Sequence, residues 1–177
     1  MRIPGIVMSM VLVAGGVLCA GAAMAQTAPS TAHADIVNDK GEKIGTATLK
    51  QAKDGVKINA EVSQLSPGVH AIHIHSAGQC QPPDFKSAGP HFNPDAKQHG
   101  MKNPAGPHAG DLPNFTVGSD GKAKIAMLAK SVTLGDGPDS LFGPAGTSLV
   151  IHAGPDDYIT DPAGNSGARI ACGVIQK

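Results

Sequence analysis

The sequence predicts an all-β protein, a sandwich or barrel of roughly eight short strands joined by two long loops. Three observations predict it. Period-two alternation recurs along the chain, no segment sustains a helical period, and turn signals punctuate the whole. Composition agrees: 23 Gly and 14 Pro stand against four Phe, one Tyr and no Trp in 177 residues. Such a core must be built from small and aliphatic side chains.

The chain opens with basic Met1-Arg2, then an apolar run from Ile3 to Ala25 ending in Ala23-Met24-Ala25. This is the layout of a secretory signal peptide, residues 1–25, leaving one domain at 26–177. Glycines, a proline and a small-residue tail favour cleavage over a membrane anchor. Leu18 ahead of Cys19 disfavours lipoprotein processing. The mature chain keeps thirteen of the 14 Lys and Arg against 14 Asp and Glu, a formal charge of about −1. That argues against nucleic acid or an anionic membrane surface as partner. Two cysteines remain, Cys80 and Cys172, and an exported chain with two predicts one disulfide, with two free buried thiols as the alternative. The expected location is periplasmic or secreted.

Ala34–Val37 begins the first strand, and Asp39-Lys40-Gly41-Glu42 reads as a turn. Lys43–Gln51 alternates, with Ile44, Thr46, Thr48 and Lys50 on one side and Gly45, Ala47 and Leu49 on the other. Asp54-Gly55 signals a hairpin. Val56, Ile58, Ala60 and Val62 share a face of the next strand, and Val69–His75 forms another after Ser66-Pro67-Gly68. Ser76–Leu112 has no period and carries six of the prolines. A structureless stretch this long in a compact domain points to function. Strands resume at Asn114–Val117 and, after Asp120-Gly121, at Lys122–Leu128. Ser131–Pro144 is loop, Ser148–His152 a short strand, Ala153–Gly167 the second long functional loop, and Ala168–Ile175 the last strand.

The histidines carry the chemistry. Side chains alternate along a strand, so in "HAIHIH" His73 and His75 share one face and Ile72 and Ile74 the other. The isoleucines are the natural core side. His73 and His75 therefore point outward, spaced so that two imidazoles reach one ion. His70 has the opposite parity and reads as a buried structural histidine. In "SLVIH", Leu149 and Ile151 face the core, and His152 ends the opposite face where a long loop begins. The first long loop adds His91, His99, His108 and Asp111. Three imidazoles and a carboxylate form a closed four-ligand set suited to structural zinc. Imidazoles without a sulfur ligand also suit copper, with geometry deciding. Only His33 stands apart from these after the signal segment.

"GVHAIHIH", "SAGPHFNP", "HAGDLPN", "LVIHAGPDD" and "GNSGARIACGVI" together resemble copper–zinc superoxide dismutase of the secreted bacterial kind, over about residues 33–176. The resemblance implies an eight-stranded Greek-key β-barrel, an immunoglobulin-like sandwich, with one copper and one zinc per subunit. It implies copper ligands at His73, His75, His91 and His152, and zinc ligands at His91, His99, His108 and Asp111, with the His91 ring between the metals. It implies catalytic roles for Arg169 beside copper and for His91, an outer-shell role for Asp156 between the two ligand sets, a structural role for His70, and a Cys80–Cys172 disulfide. The implied substrate is superoxide, converted to dioxygen and hydrogen peroxide. A homodimer is compatible with the family.

Two departures stand out. Ala153–Ala168 contains no lysine, where animal members place lysines that attract the anion, so Lys86, Lys97 or Lys102 of the metal loop are the expected guides. Ala163 stands where animal members have a threonine at the channel mouth. The competing readings are an exported copper or zinc carrier without turnover and a zinc hydrolase. Loss of a copper ligand or of Arg169 would favour the carrier, and neither is lost. The hydrolase would need an open zinc position.

Overall fold

The computed structural model of the chain describes Met1 and residues 30–177. The expected signal segment and its cleavage site lie outside the described residues, apart from Met1. No helix among the described residues is long and apolar enough to cross a membrane.

Among the described residues nine strands form, in the order β1 Thr31–Asn38, β2 Lys43–Ala52, β3 Gly55–Val62, β4 Gly68–His70, β5 Ile72–His75, β6 Phe115–Val117, β7 Ala123–Ala129, β8 Ser148–His152 and β9 Arg169–Val174. One 3-10 turn, Lys86–Ala88, interrupts the first long loop. Alternation explains the strands: Ala32, Ala34 and Ile36 of β1, and Val56, Ile58, Ala60 and Val62 of β3, all turn inward. The hairpin turns fall where Gly permits a left-handed backbone, as at Gly121 with φ 73°.

Seven strands make one curled antiparallel sheet in the order β5-β8-β9-β1-β2-β3-β7, while β4 pairs with β6. β3 therefore crosses to β4, β7 crosses to β8, and β9 returns beside β1, which is Greek-key connectivity. Two expectations change here. The single strand expected at Val69–His75 breaks at Ala71, because its first half bonds β6 and its second half bonds β8. Counting β4 and β5 as one interrupted strand recovers eight. On β2, Ile44 does not share a face with Thr46. Ile36 pairs with Gly45 and Val37 with Lys43, so Ile44 is an extra residue. The bulge flips its parity and turns it into the core.

The main core is aliphatic, with Leu49, Ile58, Ile72, Ile74, Leu149 and Ile151 all fully enclosed. A second, smaller cluster of Phe85, Ala88, Val150 and Cys172 lies on the other face of β8 and β9. It pins the first long loop to the sheet. Cys80 and Cys172 close a disulfide there, with Cα atoms 5.5 Å apart and a sequence separation of 92. The bridge is worth about 2–5 kcal/mol.

Candidate metal centre

β5 lies at the edge of the sheet with β8 on one side, pairing Ile72 with Ile151 and His75 with Ser148. Its other edge is filled by the first long loop. Ile74 N–H donates to Gly110 O at 2.9 Å, and Ile74 O accepts Phe92 N–H at 2.8 Å. This corrects the outward reading of His73 and His75. They leave the barrel side as expected, but both are fully buried because the loop folds over them. At the end of β8 the register shifts, so that His152 pairs with Arg169. The shift puts the arginine beside the histidine.

His73, His75, His91 and His152 each offer a ligand atom, and these atoms lie within 4.8 Å of one another. Among the described residues, His73 Nδ1, His75 Nε2, His91 Nε2 and His152 Nε2 are buried with no hydrogen-bond partner. The one other such atom is Ser148 Oγ. An unpartnered buried polar group costs about 1–3 kcal/mol, so four converging on one point fit a bound cation. Burial lowers the His75, His91 and His152 imidazoles to about 2, 4 and 4. It lowers His73 too, against the raising contact with Asp156. All four are therefore neutral near pH 7, the form that binds metal.

The second set shares the His91 ring. Asp111 Oδ1 lies 2.9, 3.0 and 3.3 Å from the Nδ1 atoms of His91, His99 and His108. His91 Nδ1 and His108 Nδ1 are 3.5 Å apart. Tetrahedral zinc with bonds near 2.05 Å has ligand–ligand edges of about 3.3 Å. These four spacings fit such edges, and Asp111 Oδ2 is already satisfied by Gly100 N–H at 2.9 Å and His108 N–H at 3.0 Å. Burial would lower His99, but a carboxylate at each ring nitrogen, Asp111 and Asp156, outweighs it and raises His99 to about 9. Burial would raise Asp111, yet hydrogen bonds from His91 and His99 hold it well below the usual range.

Asp156 joins the two sets. Its Oδ2 lies 2.9 Å from His73 Nε2 and its Oδ1 3.0 Å from His99 Nε2. Its backbone is clamped by Asn114, which accepts Asp156 N–H and donates to Asp156 O, both at 2.9 Å. Asn114 N–H in turn donates to Tyr158 Oη at 2.7 Å. Gly164 packs so closely that a Cβ would sit 1.8 Å from Asp156 Oδ1, and its φ is +62°. Sequence reasoning missed Asn114, Tyr158 and Gly164, since a backbone clamp and a close approach leave no periodic trace.

The other expected residues also find their places. His70 is buried, with Nδ1 and Nε2 each 2.8 Å from a carbonyl, His152 O and Ser66 O. It ties β4 to the end of β8. Ser166 Oγ donates to Ala163 O and lies 3.1 Å from His152 Nδ1, from which it accepts. Arg169 donates Nη1 to Phe85 O at 2.8 Å and Nη2 to Gly89 O at 2.7 Å. Gly89 O is also 2.8 Å from His75 Nδ1. Burial lowers Arg169, offset in part by Asp84, but an arginine stays charged at neutral pH.

Of the three lysines expected as guides, only Lys86 lines the cavity of about 830 Å³ that Arg169 borders. It is paired there with Asp84 at 2.7 Å. Lys97 borders a separate cavity beside His91 and His108, and Lys102 sits 5.3 Å over the Tyr158 ring. Lys40, on the β1–β2 turn, lines the Arg169 cavity and was not anticipated.

Residues 43–175 match the sequence pattern of the family described as Copper/zinc superoxide dismutase (SODC). The chain is 58% identical over 146 residues to Cu-Zn superoxide dismutase 1 of Aquifex aeolicus, covering 81% of this chain and 86% of that one. A solved SOD-like protein from Bacillus subtilis is 43% identical with a TM-score of 0.78, over 80% of this chain and 96% of that one. The Cu/Zn superoxide dismutase from Brucella abortus is 27% identical with a TM-score of 0.67, over 82% and 99%. With the pattern spanning most of the chain and two adjoining ligand sets that share one imidazole, the protein belongs to the copper/zinc superoxide dismutase family.

Proposed function

We propose that this chain dismutates superoxide, with copper on His73, His75, His91 and His152 and zinc on His91, His99, His108 and Asp111. The observation that carries the reading is the set of four unpartnered buried nitrogens meeting beside a tetrahedral set through the shared His91 ring. Bound copper supplies the one-electron exchange that turns two superoxide anions and two protons into dioxygen and hydrogen peroxide. The chain's own residues do the rest. Arg169 presents a fixed positive fork, braced by two carbonyls, that orients a small anion. His91 would hold a proton for the reduced oxygen on Nε2 only when that nitrogen is free of copper, while Nδ1 stays on the zinc side. Asp156 accepts from His73 and His99 and so fixes both rings. Lys40 and Lys86 are the lysines along the Arg169 cavity in place of the missing loop lysines, set there against Asp39, Glu42 and Asp84.

The same reading takes residues 1–25 as an export signal removed before the domain at 26–177 acts in the periplasm or outside the cell. The disulfide supports an oxidising compartment. Assembly as a homodimer rests on the exposed apolar side chains of Val69, Met101 and Ile159, and sedimentation of the metal-loaded protein tests it. The function itself is tested by metal analysis with a superoxide assay before and after copper removal. Activity should vanish without copper and return when it is restored. Full activity in a copper-free, zinc-loaded sample would sink the reading. Arg169→Ala should cut turnover about tenfold or more with both metals retained, and lost copper in that variant would make the arginine structural.

A further inference from the structure

A metal-bound imidazole coordinates through one nitrogen and keeps its hydrogen on the other, and that N–H needs an acceptor. These outer contacts can be followed ring by ring. His73 Nε2 and His99 Nε2 meet Asp156 at 2.9 and 3.0 Å. His75 Nδ1 meets Gly89 O at 2.8 Å, and His152 Nδ1 meets Ser166 Oγ at 3.1 Å. His91 turns one nitrogen to each set and has no outer N–H. His108 is the exception. Its Nδ1 belongs to the tetrahedral set, and its Nε2 makes no hydrogen bond among the described residues. The carboxylate that faces it is Asp161, with Oδ1 3.9 Å away.

Asp161 is already tied to this set. The same Oδ1 accepts the backbone N–H of His99 at 2.6 Å. It also borders, with Lys97 and Pro162, a cavity of about 470 Å³ walled by the His91 and His108 rings. Its side chain is 49% exposed, so it has room to move.

We propose that Asp161 is the outer carboxylate of the zinc set, accepting His108 Nε2–H when zinc holds Nδ1, and so positioning that ring and retaining the metal. This rests on the zinc assignment made above. A charge-assisted hydrogen bond of about 2.7–2.9 Å requires roughly 1 Å of closure. The second long loop then braces the zinc set with two carboxylates, Asp156 behind His99 and Asp161 behind His108. Backbone ties already run the same way, from Lys102 N–H to Tyr158 O at 3.0 Å. Zinc retention and the seating of residues 156–162 become one event.

The test uses the full chain carrying copper and zinc, as wild type, Asp161→Ala and Asp161→Asn. Zinc transfer to an excess of a chromogenic chelator should be about tenfold or more faster in Asp161→Ala, since outer partners are worth 10–100-fold in affinity. Asp161→Asn, which can still accept from His99 N–H but carries no charge, should fall between. Copper content should stay at the wild-type level in both. In the zinc-loaded protein with copper reduced, the His108 Nε2–H resonance should be protected from solvent exchange in the wild type and exposed in Asp161→Ala. A carboxylate that only props the loop would lower the melting temperature of the metal-free variant and leave zinc transfer and that resonance unchanged. Wild-type zinc transfer in Asp161→Ala, or an equally protected His108 Nε2–H, overturns the proposal. A wild-type chain that holds no zinc at these residues would overturn the ligand assignment instead.

Discussion

The two halves of the metal centre are built from different materials. On the side proposed for copper, three of four histidines sit on paired strands, His73 and His75 on β5 and His152 on β8. On the side proposed for zinc, all four residues come from one long loop, with no strand of its own between Lys86–Ala88 and Phe115. Strand ligands are placed by a ladder that exists without any ion. Loop ligands are placed by each other and by what they bind. On the proposed assignment, copper would meet a site the barrel has already made, while zinc would complete the loop that covers it.

The sharpest way to break that contrast is to remove one ligand from each half. Asp111→Ala leaves three buried imidazoles without their carboxylate, and should cost the metal-loaded protein about 3–5 kcal/mol of stability. His75→Ala should abolish copper binding and activity, and should cost the metal-free protein less than Asp111→Ala, since it relieves an unpartnered buried nitrogen as well as removing a ring. Thermal unfolding of both variants, with metal content measured alongside, checks this. Equal losses would mean that the strands need copper as much as the loop needs zinc.

A smaller effect is expected where the halves are joined. Gly164→Ala places a methyl group against Asp156 Oδ1 and asks a non-glycine residue to hold φ +62°. About 1–3 kcal/mol should be lost, with both metals bound more weakly because Asp156 serves both. Weakening of one metal alone would show that Asp156 does not couple them.

Acidity separates the halves further. In the metal-free fold His99 is raised to about 9 from an ordinary 6.5, so its proton stabilises that fold fully below pH 6.5, and the contribution is lost as pH rises through 9. Zinc must displace this proton. Its apparent affinity should rise about tenfold per pH unit between 7 and 9 and flatten above, with about one proton released per zinc, as calorimetry in buffers of different ionisation enthalpy would show. The copper-side rings are pushed down instead, to about 4 for His152, so at pH 7 copper binding should release no proton from His73, His75 or His152, and one from the shared His91 ring where zinc already holds its other nitrogen. The smallest effect belongs to Lys40→Ala and Lys86→Ala, a few-fold loss in kcat/KM that disappears at high salt.

The barrel was largely legible because its signal is local. Alternation located the strands, Asp54-Gly55 and Asp120-Gly121 located hairpin turns, and parity sorted His73 and His75 from Ile72 and Ile74. What was hidden depends on partners. Nothing in "GVHAIHIH" says that the strand changes neighbour at Ala71, because a period carries no record of what it pairs with. The same blindness made two enclosed histidines read as outward ones, since the covering loop has no period to announce it. Ile44 changed face through a bulge that needs the opposing strand to be seen. Gly164 and Asn114 act by close approach and backbone clamping, at loop positions remote in sequence from Asp156 or bare of any side chain.

One atom has a wider consequence. The carbonyl oxygen of Gly89 accepts from both Arg169 and His75. On the proposed reading, the anion's docking point and a ligand of the electron-exchanging ion thus hang from a common peg. If the loop breathes, both travel together, and the gap that the electron crosses keeps its length. Mobility of the loop then changes how often an anion arrives, and leaves untouched how well it is served once there.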